Sequence, residues 1–176
     1  MLDEHHAILQ AIARSAIENA LGGSASADES AAWLTVPGAS FVTLSQNGKL
    51  RGCVGTLEAC RALVADVKHN ACGAAFHDPR FSPLALPELA GTDLHVSVLS
   101  PLIPVQFTDE ADALAQLRPG VDGLVLEYGH HRATFLPQVW AQLPEPRAFL
   151  AQLKHKAGLP TDFWAEGVRL KRYENL

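Results

Sequence analysis

The dipeptide Asn47-Gly48 constrains this chain more than any other feature of its sequence. Both residues accept the positive φ that the centre of a two-residue type I′ turn requires, and alternating apolar positions flank them on each side. Residues 40–46 and 49–57 therefore read as a β-hairpin. Counting back from the turn puts Leu44 opposite Arg51, Thr43 opposite Gly52 and Val42 opposite Cys53, and directly opposed residues share a face. Arg51 and Cys53 are thus expected to point the same way among Val42 and Leu44. Gly52 and Gly55 leave bare backbone that a chain segment or a ligand can approach closely.

Helices and further hairpins surround this one. Ile8, Leu9, Ile12, Ala13, Ala16, Ile17, Ala20 and Leu21 recur at helical spacing behind Asp3 and Glu4, and Gly22-Gly23 ends that helix. The spacing predicts a second helix over residues 61–76, with Leu63, Val64, Val67, Ala71, Ala74 and Ala75 on one face and Asp66, Asn70, Gly73 and His77 along another. Asp78-Pro79 stops it. Residues 94–99 alternate as a strand, and Asp109 or Thr108 caps a short helix over 109–117. Gly129-His130 joins strands over 123–128 and 131–136, placing Glu127 opposite Arg132. Pro137 opens a helical turn, residues 145–157 form a helix ended by Gly158-Leu159-Pro160, and residues 168–173 close the chain as a strand. Strands and helices mix without strict βαβ alternation, so the predicted class is α+β with a mainly antiparallel sheet and flanking helices.

Composition sets outer limits. A chain of 176 residues, 48% of them hydrophobic and 19% charged, is long enough for one domain or for one core with an appended subdomain. Cys53, Cys60 and Cys72 are three in number and lack C-x-x-C spacing, which indicates neither a disulfide framework nor a closed zinc site and fits a reducing cytoplasm. The formal net charge of -5 argues against a protein that coats duplex nucleic acid. The acidic start, Met1 to His6, lacks the features of a signal peptide, and no apolar run approaches a membrane span. Neither a membrane role nor a cofactor is expected.

Leu50-Arg51-Gly52-Cys53-Val54-Gly55-Thr56 is the strongest local feature. A guanidinium two residues from a thiol lies about 7 Å away on a strand face, close enough to favour the thiolate in partly dry surroundings. Free cysteine is more often a small buried hydrophobe, which is the plain alternative for Cys53. Arg51 on an apolar face needs a carboxylate or an anionic ligand. Glu58, Asp66, Asp78 and Glu127 are the candidate carboxylates.

Ala74-Ala75-Phe76-His77-Asp78-Pro79-Arg80-Phe81 ends a helix with an imidazole, a carboxylate and a guanidinium in four positions. These residues either orient a base and bind an anion, or pair Asp78 with Arg80 to hold the turn while Phe81 fills the core. Cys53, His77 and Asp78 follow the chain order of a thiol, base and orienter, without the local signatures of known cysteine hydrolases. The adjacent pairs His5-His6 and His130-His131 point apart rather than converge, so no metal site is expected. Lys154, Lys156, Arg169, Lys171 and Arg172 read as a solvated basic face, with phosphate contact as the alternative.

Taken together in this order, Leu50-Arg51-Gly52-Cys53-Val54-Gly55, Asp78-Pro79-Arg80-Phe81, His95-Val96-Ser97-Val98-Leu99-Ser100-Pro101 and Phe135-Leu136-Pro137-Gln138-Val139 resemble the AMMECR family, protein A of the AmmeMemoRadiSam system. The resemblance covers residues 8–173. It implies a single AMMECR domain over 1–176, built of two unequal subdomains that form a cleft, with the Arg-Gly-Cys strand in its lining. It implies partnership with Memo-type and radical-SAM proteins, and it implies no particular reaction. Carried over by motif, the candidate site is Arg51, Gly52, Cys53, Gly55, Asp78 and Arg80, joined by Asn70 and Gln138. Lys154 and His155 stand where many relatives have a cysteine before Lys-Ala-Gly-Leu, a departure that tells against any mechanism with a second thiol. The expected function is a cleft that binds an anionic small molecule or intermediate, with thiolate chemistry at Cys53. The alternatives are a non-catalytic module that docks a partner protein and an RNA-associated protein.

Overall fold

The computed structural model describes residues 2–176, with side chains from Glu4 onward. Met1 and the side chains of Leu2 and Asp3, part of the acidic start read above, lie outside the described residues. The chain divides into two units, Met1–Leu99 and Ser100–Leu176. Each carries its own antiparallel sheet with helices packed against it, giving an α+β fold.

In the first unit α1 (Leu2–Ala20) buries Leu9, Ile12, Ala13 and Ile17, and Gly22 follows it with φ +92°. A 3-10 turn (Ala32–Thr35) then leads into β1 (Pro37–Gln46), β2 (Lys49–Gly55) and the short β3 (Arg61–Ala62). Arg61 and Ala62, expected at the start of a helix, instead pair with Gly38 and Pro37, so α2 begins two residues later (Leu63–Phe76). A one-turn α3 (Leu86–Leu89) precedes β4 (Asp93–Leu99). β1 is central, with β2 and β4 paired to the same stretch of it and hence on opposite sides. Val42, Leu44, Leu94 and Val96 face inward and share one core with Leu9, Ile12 and Ile17 of α1 and Val67, Ala71 and Ala74 of α2.

Asn47 and Gly48 have φ of +51° and +75°, as the hairpin requires, and Gln46 pairs with Lys49 and Ser45 with Leu50. Beyond that point the expected register fails. A β-bulge leaves Arg51 without a partner, and the pairs become Leu44 with Gly52, Thr43 with Cys53 and Val42 with Val54. Because side chains alternate with a period of two, this one-residue slip carries Cys53 off the apolar face and onto the outer face with Thr43, while Val54 takes its place inside. The packing shows what favours the slip. A Cβ on Gly52 would lie 2.1 Å from the Ala74 carbonyl oxygen of α2, so only glycine fits at that inward position.

The second unit has the strand order β5 (Ile103–Pro104), β8 (Arg169–Tyr173), β6 (Gly123–Tyr128), β7 (His131–Phe135). Glu127 lies opposite Arg132 as read from the Gly129-His130 turn. Asp109 caps α4 (Glu110–Gln116), accepting from the Asp112 N–H at 2.8 Å. A 3-10 turn (Pro137–Ala141) presents Trp140, which stacks on Phe149 of α5 (Pro146–Lys156) with ring centroids 3.8 Å apart. Lys154 of α5 is 2% exposed and binds Glu110 of α4 at 2.6 Å, over the Trp164 ring. Among the described residues no helix is long and apolar enough to cross a membrane.

Candidate functional site

Asp78 is the centre of the motif-bearing patch. After α2 the His77 N–H closes on the Gly73 carbonyl, and Pro79 bars continuation of the helix. The Asp78 side chain is thereby set beside the outer edge of β2, where it is 5% exposed. Its Oδ2 accepts from the Cys53 backbone N–H at 3.0 Å and from Arg80 Nη2 at 2.8 Å. Its Oδ1 accepts from the Arg80 N–H at 3.1 Å and Arg80 Nε at 3.0 Å. Hydrogen bonding to Arg80, reinforced by the Cys53 N–H, holds the Asp78 carboxyl far below the usual carboxylate range against the opposing effect of burial. One ionised carboxylate therefore ties an edge-strand amide to a guanidinium, and protects the edge of β2 from pairing with another chain. These bonds commit Asp78 to Arg80 and the Cys53 backbone rather than to His77, which is exposed.

Cys53 is half-buried on the outer face, with its Sγ 3.4 Å from Thr43 Oγ1. Arg80, whose side chain is 54% exposed, is held protonated by Asp78 first, with Cys53 among the smaller contributors. Gly55 also serves packing: a Cβ there would lie 2.2 Å from the Phe41 ring. The bare backbone at both glycines is thus approached by the protein's own segments.

Arg51 finds its carboxylate in Glu88, at 3.2 Å from Nε to Oε1 and 3.3 Å from Nη2 to Oε2. Its partner is none of Glu58, Asp66, Asp78 and Glu127. Glu88 was hidden because it stands on α3, one helical turn whose Ala85 N–H donates to Glu88 Oε2 at 2.8 Å. That backbone bond first, and Arg51 second, hold the Glu88 carboxyl below its ordinary value. The Arg51 side chain is 11% exposed, its Nη1 lacks a hydrogen-bond partner, and both Arg51 and Arg80 lie against the Phe81 ring, at 5.9 and 5.5 Å.

Arg51, Gly52, Cys53, Gly55, Asp78 and Arg80 are thus drawn together at β2. Asn70 belongs to a different constellation. It and Asp66, one helical turn apart on α2, are 1% and 0% exposed and bind across to the strands. Asp66 Oδ2 accepts from the Ser40 N–H at 2.9 Å and Ser40 Oγ at 2.7 Å, and Oδ1 accepts from Thr56 Oγ1 at 2.8 Å. Asn70 Nδ2 donates to the Ser40 carbonyl at 3.0 Å and Thr56 Oγ1 at 3.1 Å. This buried network fixes where β2 leaves the sheet, and the signal for it was two polar residues at i and i+4 on an otherwise apolar helix. Gln138 stands in the second unit, where its Oε1 accepts from Asn175 at 3.3 Å. Among the described residues no group of three or more His, Cys, Asp or Glu is placed to hold a metal ion.

What the patch offers chemically is a thiol on the outer sheet face, a hydroxyl beside it, and an exposed guanidinium braced by a buried carboxylate. Comparison with known proteins identifies the lineage. The AMMECR1 family matches residues 10–176. Protein MJ0810 of Methanocaldococcus jannaschii is 39% identical over 128 residues, 72% of this chain and 64% of that protein. A Methanothermobacter thermautotrophicus protein is 40% identical over 136 residues, 76% of this chain and 71% of its own length. The chain therefore spans slightly less than two thirds of the first relative and slightly more of the second. The crystal structure of uncharacterized protein PH0010 from Pyrococcus horikoshii matches with a TM-score of 0.87 at 32% identity, covering 95% of this chain and 87% of that one. The chain belongs to the AMMECR1 family.

Proposed function

We propose that the outer sheet face around Cys53 binds a small anionic molecule, with Arg80 supplying positive charge and Cys53 the contacting thiol. The observation that carries this reading is the bonding of Asp78. A single carboxylate holds the Cys53 backbone through Oδ2 and Arg80 through Nε and Nη2, leaving the thiol and Arg80 Nη1 outside those bonds. Both arginines are paired with a carboxylate, but the Arg51 side chain is mostly buried and the Arg80 side chain is exposed, so Arg51 braces β2 and Arg80 meets the ligand. Gly52 and Gly55 let the strand sit close to α2 and Phe41, and Asn70 anchors its far end. Within the family, the ligand belongs to a pathway shared with Memo-type and radical-SAM proteins.

The test compares an anionic and a neutral reagent for one thiol. Cys60→Ser and Cys72→Ser leave Cys53 alone, and its labelling by iodoacetate and by iodoacetamide is timed in native and urea-unfolded protein. The iodoacetate-to-iodoacetamide rate ratio is expected to be about two- to threefold higher in the native state, the attraction of an exposed guanidinium partly offset by the Asp78 carboxylate behind it. Arg80→Gln is expected to abolish the excess. A native ratio no higher than the unfolded one refutes the anion-binding reading.

A further inference from the structure

We propose that His95 tunes the reactivity of the Cys53 thiol across the sheet, with Thr43 as the positioning residue between them; this rests on the reading of Cys53 given above. Thr43 is the pairing partner of Cys53 on β2 and of His95 on β4, so the three side chains form one row on the outer face. Thr43 Oγ1 reaches Cys53 Sγ at 3.4 Å. Strands spaced about 4.8 Å apart put the Cys53 and His95 backbones about 10 Å from each other.

At the far end of the row α1 lies beside His95, which stays exposed. His6 lies against His95 with ring centroids 5.0 Å apart, and its Nε2 is buried without a hydrogen-bond partner. Gln10 and Arg14 of the same helix bind carbonyls of this region, at Leu94 and at Leu89 and Thr92. The titratable or charged groups around His95 are therefore His6 and Arg14 from α1, Asp93 two residues along its own strand, and Cys53 across β1, with Asp78 and Arg80 beyond it. Burial first, then His6, push the His95 imidazole below its ordinary value. It therefore takes up its proton, at a ring nitrogen and from solvent, at a lower pH than a free imidazole does.

A neutral imidazole leaves the thiol alone, whereas an imidazolium in the same row favours the thiolate. At about 10 Å on a wet surface, that attraction raises the thiolate population by about two- to fourfold. Thr43 contributes a hydroxyl that donates to the thiolate once the Sγ proton has left for solvent.

The experiment times iodoacetamide labelling of Cys53 in the Cys60→Ser, Cys72→Ser background. His95→Gln is expected to slow it by about two- to fourfold at the acid end of a profile from about pH 4.5 to about pH 8, and to leave it unchanged at about pH 8. His95→Lys, which carries a fixed charge, is expected to raise the rate at about pH 8 by a similar factor. Thr43→Val is expected to slow labelling at both pH values, and Thr43→Ser to restore it. A His95→Gln effect of equal size at both pH values, no effect at either, or a His95→Lys rate equal to wild type at about pH 8 overturns the coupling. A Thr43→Val rate equal to wild type overturns the role of Thr43. Cys53 that prefers iodoacetate yet ignores His95 refutes this inference alone, while Cys53 inert to both reagents refutes the functional reading with it.

Discussion

Replacing Asp78 by Asn tests the joint that holds the candidate site together. The change keeps the shape of the side chain and removes its charge. Arg80 loses two charge-assisted bonds, but its side chain is 54% exposed, so each is worth under about 1 kcal/mol. The bond from the part-buried Cys53 N–H weakens from a charged to a neutral acceptor, worth about 1 kcal/mol. The sum is a destabilisation of about 2–3 kcal/mol at neutral pH. Because the folded-state pKa of Asp78 is depressed below its unfolded value of about 3.9, this stability is present above that value and drains away as pH falls towards the folded one. Urea unfolding of wild type and Asp78→Asn is therefore expected to show a gap that narrows by about 1 kcal/mol between about pH 6 and about pH 3. Hydrogen exchange over Lys49–Gly55 should quicken in the variant, since the Cys53 amide sits on the open edge of β2. A gap below about 0.5 kcal/mol at neutral pH, or one that is constant into acid, refutes the assignment of Asp78 as the ionised tie between β2 and Arg80.

Two further substitutions probe the scaffold beneath the site. Gly52→Ala sets a methyl 2.1 Å from the Ala74 carbonyl, and separating β2 from α2 is expected to destabilise the first unit by about 3 kcal/mol, read from its urea midpoint. An unchanged midpoint contradicts the close strand–helix approach. Asp66→Ala leaves the buried Ser40 N–H and the Ser40 and Thr56 hydroxyls without their acceptor, for an expected loss of about 3–5 kcal/mol in the same assay. Asp66→Asn, which keeps one acceptor oxygen, should lose less, and the reverse order contradicts the network.

Much of the architecture was legible in local signals. Asn47-Gly48 and Gly129-His130 both form their turns, Asp109 caps its helix, and Glu127 meets Arg132, because each depends on residues adjacent along the chain or one strand away. The candidate site was legible as a set of residues but not as an arrangement. The obstacle was one extra residue at Arg51. A bulge is stabilised by tertiary contact, here the fit of Gly52 to the Ala74 carbonyl, and nothing within Leu50-Arg51-Gly52-Cys53 announces where α2 will lie. Misplacing that residue inverted the face of Cys53 and hid its neighbours Thr43 and His95. The partner of Arg51 was missed for a related reason, since Glu88 is 37 residues away on a helix too short to leave a periodic signature. Asn70 was found, but its burial with Asp66 depends on two polar side chains satisfying each other and Ser40, which periodicity treats as a polar face.

The site depends on Cys53 standing on the outer face of the sheet, and the rate at which iodoacetamide labels it in native protein reports that position. In the Cys60→Ser, Cys72→Ser background, a thiol on the outer face beside Thr43 is expected to react within about tenfold of the urea-unfolded chain. Protection of more than about a thousandfold, as for a thiol packed in the core among Val42 and Leu44, contradicts the bulged register and the site built upon it.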